Sequence, residues 1–584
     1  MKKFNIIITA VLFCMVSCVN LDETVYEQVL SGNYYNTRQD VINSVFRPFE
    51  HVFESVHTFF KVQECCADQF ITPTRGPWWK DGGKWERFHR HEFNNLNEAG
   101  DLWSKGWNSM YGGIGQCNLV LDNLSQMDRR TFDISEEEWN HFKGQVRAMR
   151  AYCYLNLLDN FRNCILVTTS DQAVASKPEN MKQVPPKTLF DFLETELNSC
   201  LEELGNKKGK EGNGIMQGQF TKAAAAALLV RLYLNAEIWI GEPHWEECIA
   251  ICKRIEEGEF GFYEIDQDWS APFDWNNETC NEVIFGFPAS HGYTTWHMQN
   301  GTSRTIYGRG MPYGSQYYLE IDGDGTRNPQ FALSPSYDNQ VPRQLFQYDL
   351  GMVTQKFEKY HDDIRYKQYK NLTPNTREGM FFMEGYIPGK NGVNAKEPYN
   401  AYTIYLRDQV GCFEGGAPEG TIASVTRRES TLANGDFNSG LYCMKYPFYS
   451  YKGGYYCESD YTAIRYAEII YSHAECLLRT GKVDDAGKLL NSVRKRNYLT
   501  FDANIAYKPE GNIVLDEREM LDEWGREFLM EGRRRIDLIR FGRFGEAWWD
   551  KPEDPDDHCI IFPLTRTALE QNPYLVQNPG YPTI

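Results

Sequence analysis

The chain has 584 residues, a net charge of −19, 42% hydrophobic and 24% charged residues. That is a globular composition with a large core, which excludes intrinsic disorder as the main state. The acidic balance leaves no basic excess to displace counterions from a phosphate backbone, so no nucleic-acid partner is expected.

The predicted elements begin with a processing segment. Lys2 and Lys3 precede an apolar run over residues 4–16, too short to span a bilayer and right for a signal h-region. Small residues before Cys18 have the form of a bacterial lipobox, so residues 1–17 are expected to be removed and Cys18 lipidated. The mature chain is then anchored to a membrane without spanning it. Of sixteen Cys, several fall on apolar helix faces (Cys153, Cys248, Cys252, Cys476), where Cys packs as a small hydrophobe. An exported chain permits disulfides, and mostly buried thiols with one or two bridges are expected.

Apolar residues at three- and four-residue intervals predict a helix through Phe142, Val146, Met149, Cys153 and Leu157. A second follows Thr221 through Ala223–Ala227 and Leu234, where small side chains allow close helix approach, and a third covers residues 244–257. A fourth runs from Tyr466 to Leu478 and stops at Gly481, and residues 484–496 supply a fifth. Ala474, Leu477, Gly481, Ala486 and Leu490 have the rhythm of a tetratricopeptide helix pair. The fold class read from this is mainly α: a tetratricopeptide-like helical-pair scaffold with a large irregular, loop-rich region containing short strands. The expected regions are a signal at 1–17, a helical region at 18–260, an irregular ligand-binding region at 261–450 and a helical region at 451–584. Glu527 and Glu531 read as neighbours on one helix, with Arg534 and Arg535 a turn further, forming a structural ion-pair network.

Several blocks, in order, resemble the SusD/RagB family of outer-membrane nutrient-binding lipoproteins. Tyr34-Tyr35-Asn36-Thr37 is similar to the family's opening. Trp107, Tyr111, Ile114, Cys117 and Asn118 resemble one helix motif, and Gln145, Arg147, Arg150, Ala151 and Tyr154 another. The Arg465–Glu475 and Arg526–Gly542 blocks, and Phe562-Pro563-Leu564 with Asn578-Pro579-Gly580-Tyr581, complete the series. The resemblance implies a non-catalytic surface protein that captures oligosaccharides and caps a SusC-like TonB-dependent transporter. It does not carry over ligand-contacting residues, because these lie in the family's variable loops.

No G-x-S-x-G elbow, H-E-x-x-H, Walker loop, dinucleotide fingerprint or C-x₂-C zinc pair is present. Asp322-Gly323-Asp324-Gly325 starts like a calcium loop, but Leu333 stands where the bidentate Glu belongs. No catalytic residue, cofactor or metal site is assigned. Aromatic residues make up 14% of the chain and concentrate in Gly-rich contexts. Trp78, Trp79 and Trp85 form one cluster; Tyr293, Trp296 and Tyr313 belong to a second. A sugar's C–H face lies on such rings, and nearby polar groups meet its hydroxyls. These six residues are the glycan-binding candidates. A surface glycoside hydrolase and a peptide- or protein-binding helical adaptor remain the alternatives.

Overall fold

The computed structural model describes residues 34–53, 55–93, 102–173, 181–206, 218–289, 330–373, 376–387, 394–396, 402–413, 425–427, 429–447, 449–451, 454–456 and 459–583. Cys18, Tyr293, Trp296, Tyr313 and the Asp322–Gly325 turn lie outside them.

Helices dominate. They include α1 (Arg38–Phe53), α2 (Val56–Glu64), α3 (Lys84–His89), α4 (Leu102–Gln126), α5 (Glu136–Phe161), α6 (Pro186–Glu203), α7 (Lys222–Leu234), α8 (Trp245–Glu256), α9 (Tyr466–Arg479), α10 (Val483–Arg494), α11 (Glu517–Glu527) and α12 (Arg534–Arg540), and three further short helices lie at Ala236–Ile240, Val353–Glu358 and Arg566–Gln571. Local chemistry explains their starts. Ser135 caps α5 by accepting from the Glu138 N–H, with three glutamates in the first turn favouring the helix dipole. Thr221 caps α7 by accepting from the Ala224 N–H, and Asp516 caps α11 through Glu519.

From α4 to α10 each helix packs on the next, which is the stacked helical-pair architecture expected from the sequence. The five alanines of α7 are all buried, and the small faces let α6, α8 and α9 close on it. At the end of α9, Gly481 takes φ +79° and Lys482 N–H reaches back to the Leu477 carbonyl, closing the helix as expected. The step from α8 to α9 is not sequential. The chain leaves the stack after α8 and returns only at Tyr461. The stem of this excursion is an antiparallel pair, β2 (Val283–Phe287) with β6 (Tyr461–Arg465), in which Tyr461 opposes Phe287 and Arg465 opposes Val283.

The described parts of the excursion are short paired strands, turns and one short helix, Val353–Glu358. One apolar core nevertheless runs from Val41 to Tyr581 and includes Phe331, Phe381 and Tyr442 from the irregular part. The irregular region is thus packed onto the scaffold and does not hang from it. No helix among the described residues is long and apolar enough to cross a membrane.

Two expectations need correction. The described cysteines are thirteen free thiols, all buried except the half-buried Cys412, so no bridge forms among them. They sit as small packing groups on helices, strands and turns, with Cys153 and Cys476 on helix faces and without exposed surface. Glu527 and Glu531 do not share a helix. α11 ends at Glu527, the chain turns through Met530 (φ +64°) and Gly532 (φ +74°), and α12 starts at Arg534.

The ion-pair network is present all the same, and deeper than a single helix face could make it. Glu527 meets Arg465, Arg496 and Arg365, each at 2.9 Å. Glu531 takes Arg465 at 2.8 Å and Lys445, and Glu282 pairs with Arg465 and Arg496. Arg534 grips Asp68, Arg535 meets Asp159, and Arg540 holds Glu475 and Asp537. Burial alone would raise the Glu527 pKa, but the guanidiniums of Arg496, Arg465 and Arg365 outweigh it and hold the carboxyl well below its usual range.

Candidate functional site

The segment entering α3 is an arm pressed onto the core, with two tryptophans at its tip. It starts at β1 (Phe70–Ile71), which pairs with β3 (Ala332–Leu333). Thr74 N–H then donates to the Leu432 carbonyl at 2.7 Å. Arg75 has no exposed surface, and its Nη1 donates to the Ser439 carbonyl at 2.8 Å and to the Asp436 carbonyl. A guanidinium buried this way costs much unless it is hydrogen-bonded, so it fixes the arm to the 431–440 loop.

The turn beyond is tight. Arg75 N–H donates to the Trp78 carbonyl at 3.0 Å, and Trp78 N–H returns to the Arg75 carbonyl at 3.1 Å. Trp79 (φ +62°) and Asp81 (φ +37°) both lie in the left-handed region that non-glycine residues seldom adopt. Such strain costs of order 1–3 kcal/mol per residue and persists only where surroundings impose it. The surroundings are visible: the Trp85 indole N–H donates to Asp81 Oδ2 at 2.8 Å, and Arg87 Nη1 to the Gly82 carbonyl at 2.8 Å. Further along, His89 Nε2 donates to the Trp549 carbonyl and Arg90 forks onto Asp550 at 2.8 and 3.0 Å. The result is that Trp78 and Trp79 are half-buried, packed on the core with part of each ring in solvent and flanked by exposed Lys80 and Asp81, while Trp85 is buried beneath as a brace. The sequence cluster therefore divides into two presented rings and one supporting ring.

Sequence reasoning missed a second aromatic pair. Tyr386 on β4 (Gly385–Tyr386) and Tyr405 on β5 (Tyr405–Leu406) face each other edge-on at 5.0 Å, and Tyr386 is exposed. Tyr405 N–H donates to Asn438 Oδ1 at 2.9 Å. The loop that holds Arg75 thus also holds this pair. Its own conformation is set by Asp436, whose carboxylate accepts from Phe413 N–H at 2.6 Å and Asn438 N–H at 2.9 Å. Nineteen residues separate the two tyrosines in the sequence, and only strand pairing joins them, so no local signal announces the pair.

Two carboxyls with raised pKa values face inward. Burial raises the Asp408 pKa to about 6 and the Glu64 pKa to about 7. Asp408 accepts from Thr354 Oγ1 at 2.7 Å and Ser336 N–H at 2.9 Å; Glu64 accepts from Gly532 N–H at 2.7 Å. Both carboxyls are sealed in the core and serve as clasps. A cavity of about 130 Å³ lies between helices, walled by Gln63, Asp159, Arg231, Trp239 and Arg533, and none of the arm residues lines it.

With this geometry in hand, the likeness to known proteins can be read. A model of the SusD family matches residues 281–581, and a second model, described as starch-binding and associating with the outer membrane, matches residues 74–234. The starch-binding protein SusD of Bacteroides thetaiotaomicron is 25% identical over 496 residues, covering 80% of this chain and 76% of that protein. Among solved structures, B. fragilis NanU superposes with a TM-score of 0.63 at 18% identity, covering 95% of this chain and 99% of that one. Surface glycan-binding protein A from Bacteroides uniformis gives 0.60 at 17% identity, with 93% and 99% covered. A laminarin-binding SusD-like protein gives 0.57 at 17% identity, with 94% and 100% covered. The structural neighbours share the fold; together with the family match over more than half of the sequence, the conclusion is that this chain belongs to the SusD family.

Proposed function

We propose that this protein is a non-catalytic, cell-surface oligosaccharide-binding lipoprotein of the outer membrane, anchored through Cys18, that passes its ligand to a SusC-like TonB-dependent transporter. The observation that carries the reading is the braced turn that sets Trp78 and Trp79 half-buried at the edge of the core, with exposed polar residues beside them. Rings fixed in advance lose little conformational freedom on binding, which favours weak ligands such as sugars. Tyr386 and Tyr405 extend the aromatic surface from the same supporting loop, and Tyr293, Trp296 and Tyr313 are candidates for the remainder. Family membership and the starch-binding relative support the ligand class.

The test is a glycan array followed by calorimetry on the best ligand with Trp78→Ala and Trp79→Ala. Base–aromatic stacking contributes roughly 1–3 kcal/mol, and sugars belong in the lower half of that range. Each variant should therefore weaken binding about tenfold while melting as the parent does. Wild-type affinity in both variants would place the platform elsewhere, and release of smaller sugars from the incubated glycan would favour a hydrolase.

A further inference from the structure

The chain leaving α3 meets the C-terminal segment in a group of side chains that no sequence spacing announces. His91 Nδ1 lies 2.6 Å from Asp554 Oδ2, across 463 residues of sequence. His91 Nδ1, an Asp554 carboxylate oxygen and Cys559 Sγ all fall within 4.8 Å of one another. His558 Nε2 is 3.4 Å from that same sulfur.

The two imidazoles are oriented alike. His91 Nε2 is 2.8 Å from the Cys66 carbonyl, which can only accept, so Nε2 carries a proton; the 2.6 Å contact of Nδ1 with Asp554 holds a second one, whose departure leaves the Nδ1 lone pair for a metal. His558 Nδ1 lies against the Asp556 carboxylate, which likewise leaves the Nε2 lone pair facing Cys559. A histidine whose second nitrogen donates to a carbonyl or carboxylate is the usual supporting arrangement of a metal ligand. His91 has φ +57°, an unfavourable conformation for a non-glycine residue, and its ring is clamped by Phe544 at 4.1 Å and Trp548 at 5.2 Å. These rings keep water from one side of the group.

We propose that His91, Asp554 and Cys559 hold a divalent metal of the zinc class, with His558 Nε2, close to the sulfur but outside the mutually close trio, swinging in as the fourth ligand, and that the ion clips the arm that carries Trp78 and Trp79 to the C-terminal segment. A thiolate with two imidazoles and one carboxylate selects zinc over magnesium or calcium, which prefer all-oxygen sets. Bond lengths of about 2.0–2.3 Å put ligand atoms roughly 3.3–3.7 Å apart, so the His91–Asp554 pair opens by about 0.7–1 Å to admit the ion. The proton held between that pair and the Cys559 thiol proton leave on binding, two protons per ion. Lys551 Nζ, 3.0 Å from Asp554 Oδ1, neutralises the other carboxylate oxygen when no metal is bound.

The test uses the whole mature protein, stripped with chelator under reducing conditions and titrated with Co²⁺. One ion per chain is expected, with the strong d–d bands of a four-coordinate site and a near-ultraviolet thiolate-to-cobalt charge-transfer band that zinc abolishes by displacement. Cys559→Ser should remove the charge-transfer band. Should that variant fail to fold, His558→Gln, on the solvent side, should weaken cobalt binding by roughly tenfold or more. An aqueous-ion spectrum throughout, a band unchanged in Cys559→Ser, or wild-type affinity in His558→Gln would overturn the site.

Discussion

The α11–α12 block and the arm at 73–90 are both charged or aromatic, yet they treat their unusual residues in opposite ways. The block buries its ions: Arg465, Arg526, Arg534 and Arg535 are each 2% exposed or less, and each meets at least one carboxylate. The arm buries its supports, Arg75, Trp85, Phe88 and His89 among them, and leaves Trp78 and Trp79 half-buried against the core with part of each ring in solvent. In the block, the buried carboxylates and guanidiniums answer one another, so substitution there should destabilise the protein strongly. The arm's satisfied atoms hold two rings whose outer faces the fold does not need, so substitution there should spare the fold. Family motifs fall on the first kind of region, while the proposed ligand surface falls on the second.

The sharpest way to break the comparison is to remove the hub of the block. Glu527→Ala leaves three guanidiniums facing a void, and breaking a buried pair on one side costs about 3–5 kcal/mol. Urea unfolding should show that loss with the denaturant slope kept; a loss below about 1 kcal/mol would mean that the network is peripheral. A smaller cost is expected from Ala474→Trp. Ala474 is fully buried on α9, and overpacking there should cost about 1–3 kcal/mol, read as a lowered melting temperature.

Acid should find the same block. Burial pushes up the pKa values of Glu475 and Glu519, but Arg540 and Arg479 around the first, and Arg526 and Lys359 around the second, bring both down to about 2 from 4.5. A depressed folded-state pKa gives stability that is present above the unfolded value and lost as pH falls through the folded one. Unfolding free energy should therefore decline between about pH 4.5 and 2. A flat profile over that window would remove the pairs from the account. The smallest effect is expected at the brace: Trp85→Phe deletes the indole bond to Asp81, worth about 1 kcal/mol or less, and should loosen the turn with a modest loss of glycan affinity.

The helical scaffold was legible because burial on one helical face leaves a period, as in Phe142–Leu157 and Tyr466–Leu478. The break between Glu527 and Arg534 was not, because the charge spacing there also fits a continuous helix. The helix stops at Glu527, and the turn that follows through Met530 and Gly532 is held by Glu64 from α2, which accepts the Gly532 N–H across 468 residues. The absence of bridges among the described cysteines has a similar lesson: the compartment permits them, but these thiols are packed as free apolar groups, even where Cys248 meets Cys252 and Cys476. Composition located Trp78, Trp79 and Trp85 together but could not tell a presented ring from its brace, since that depends on which indole reaches Asp81. Tyr386 and Tyr405, and the His91 group, arise only from tertiary pairing.

The claim at the centre of this account is that ligand affinity and fold stability reside in separate residues. One measurement addresses it directly: the Trp78→Ala/Trp79→Ala double variant, assayed by calorimetry against the best glycan and by thermal melting on the same sample. Two lost stacking faces should cost about 2–3 kcal/mol, roughly a hundredfold in affinity, with the melting temperature near that of the parent. Parent-like affinity, or weakened binding accompanied by early melting, would contradict it.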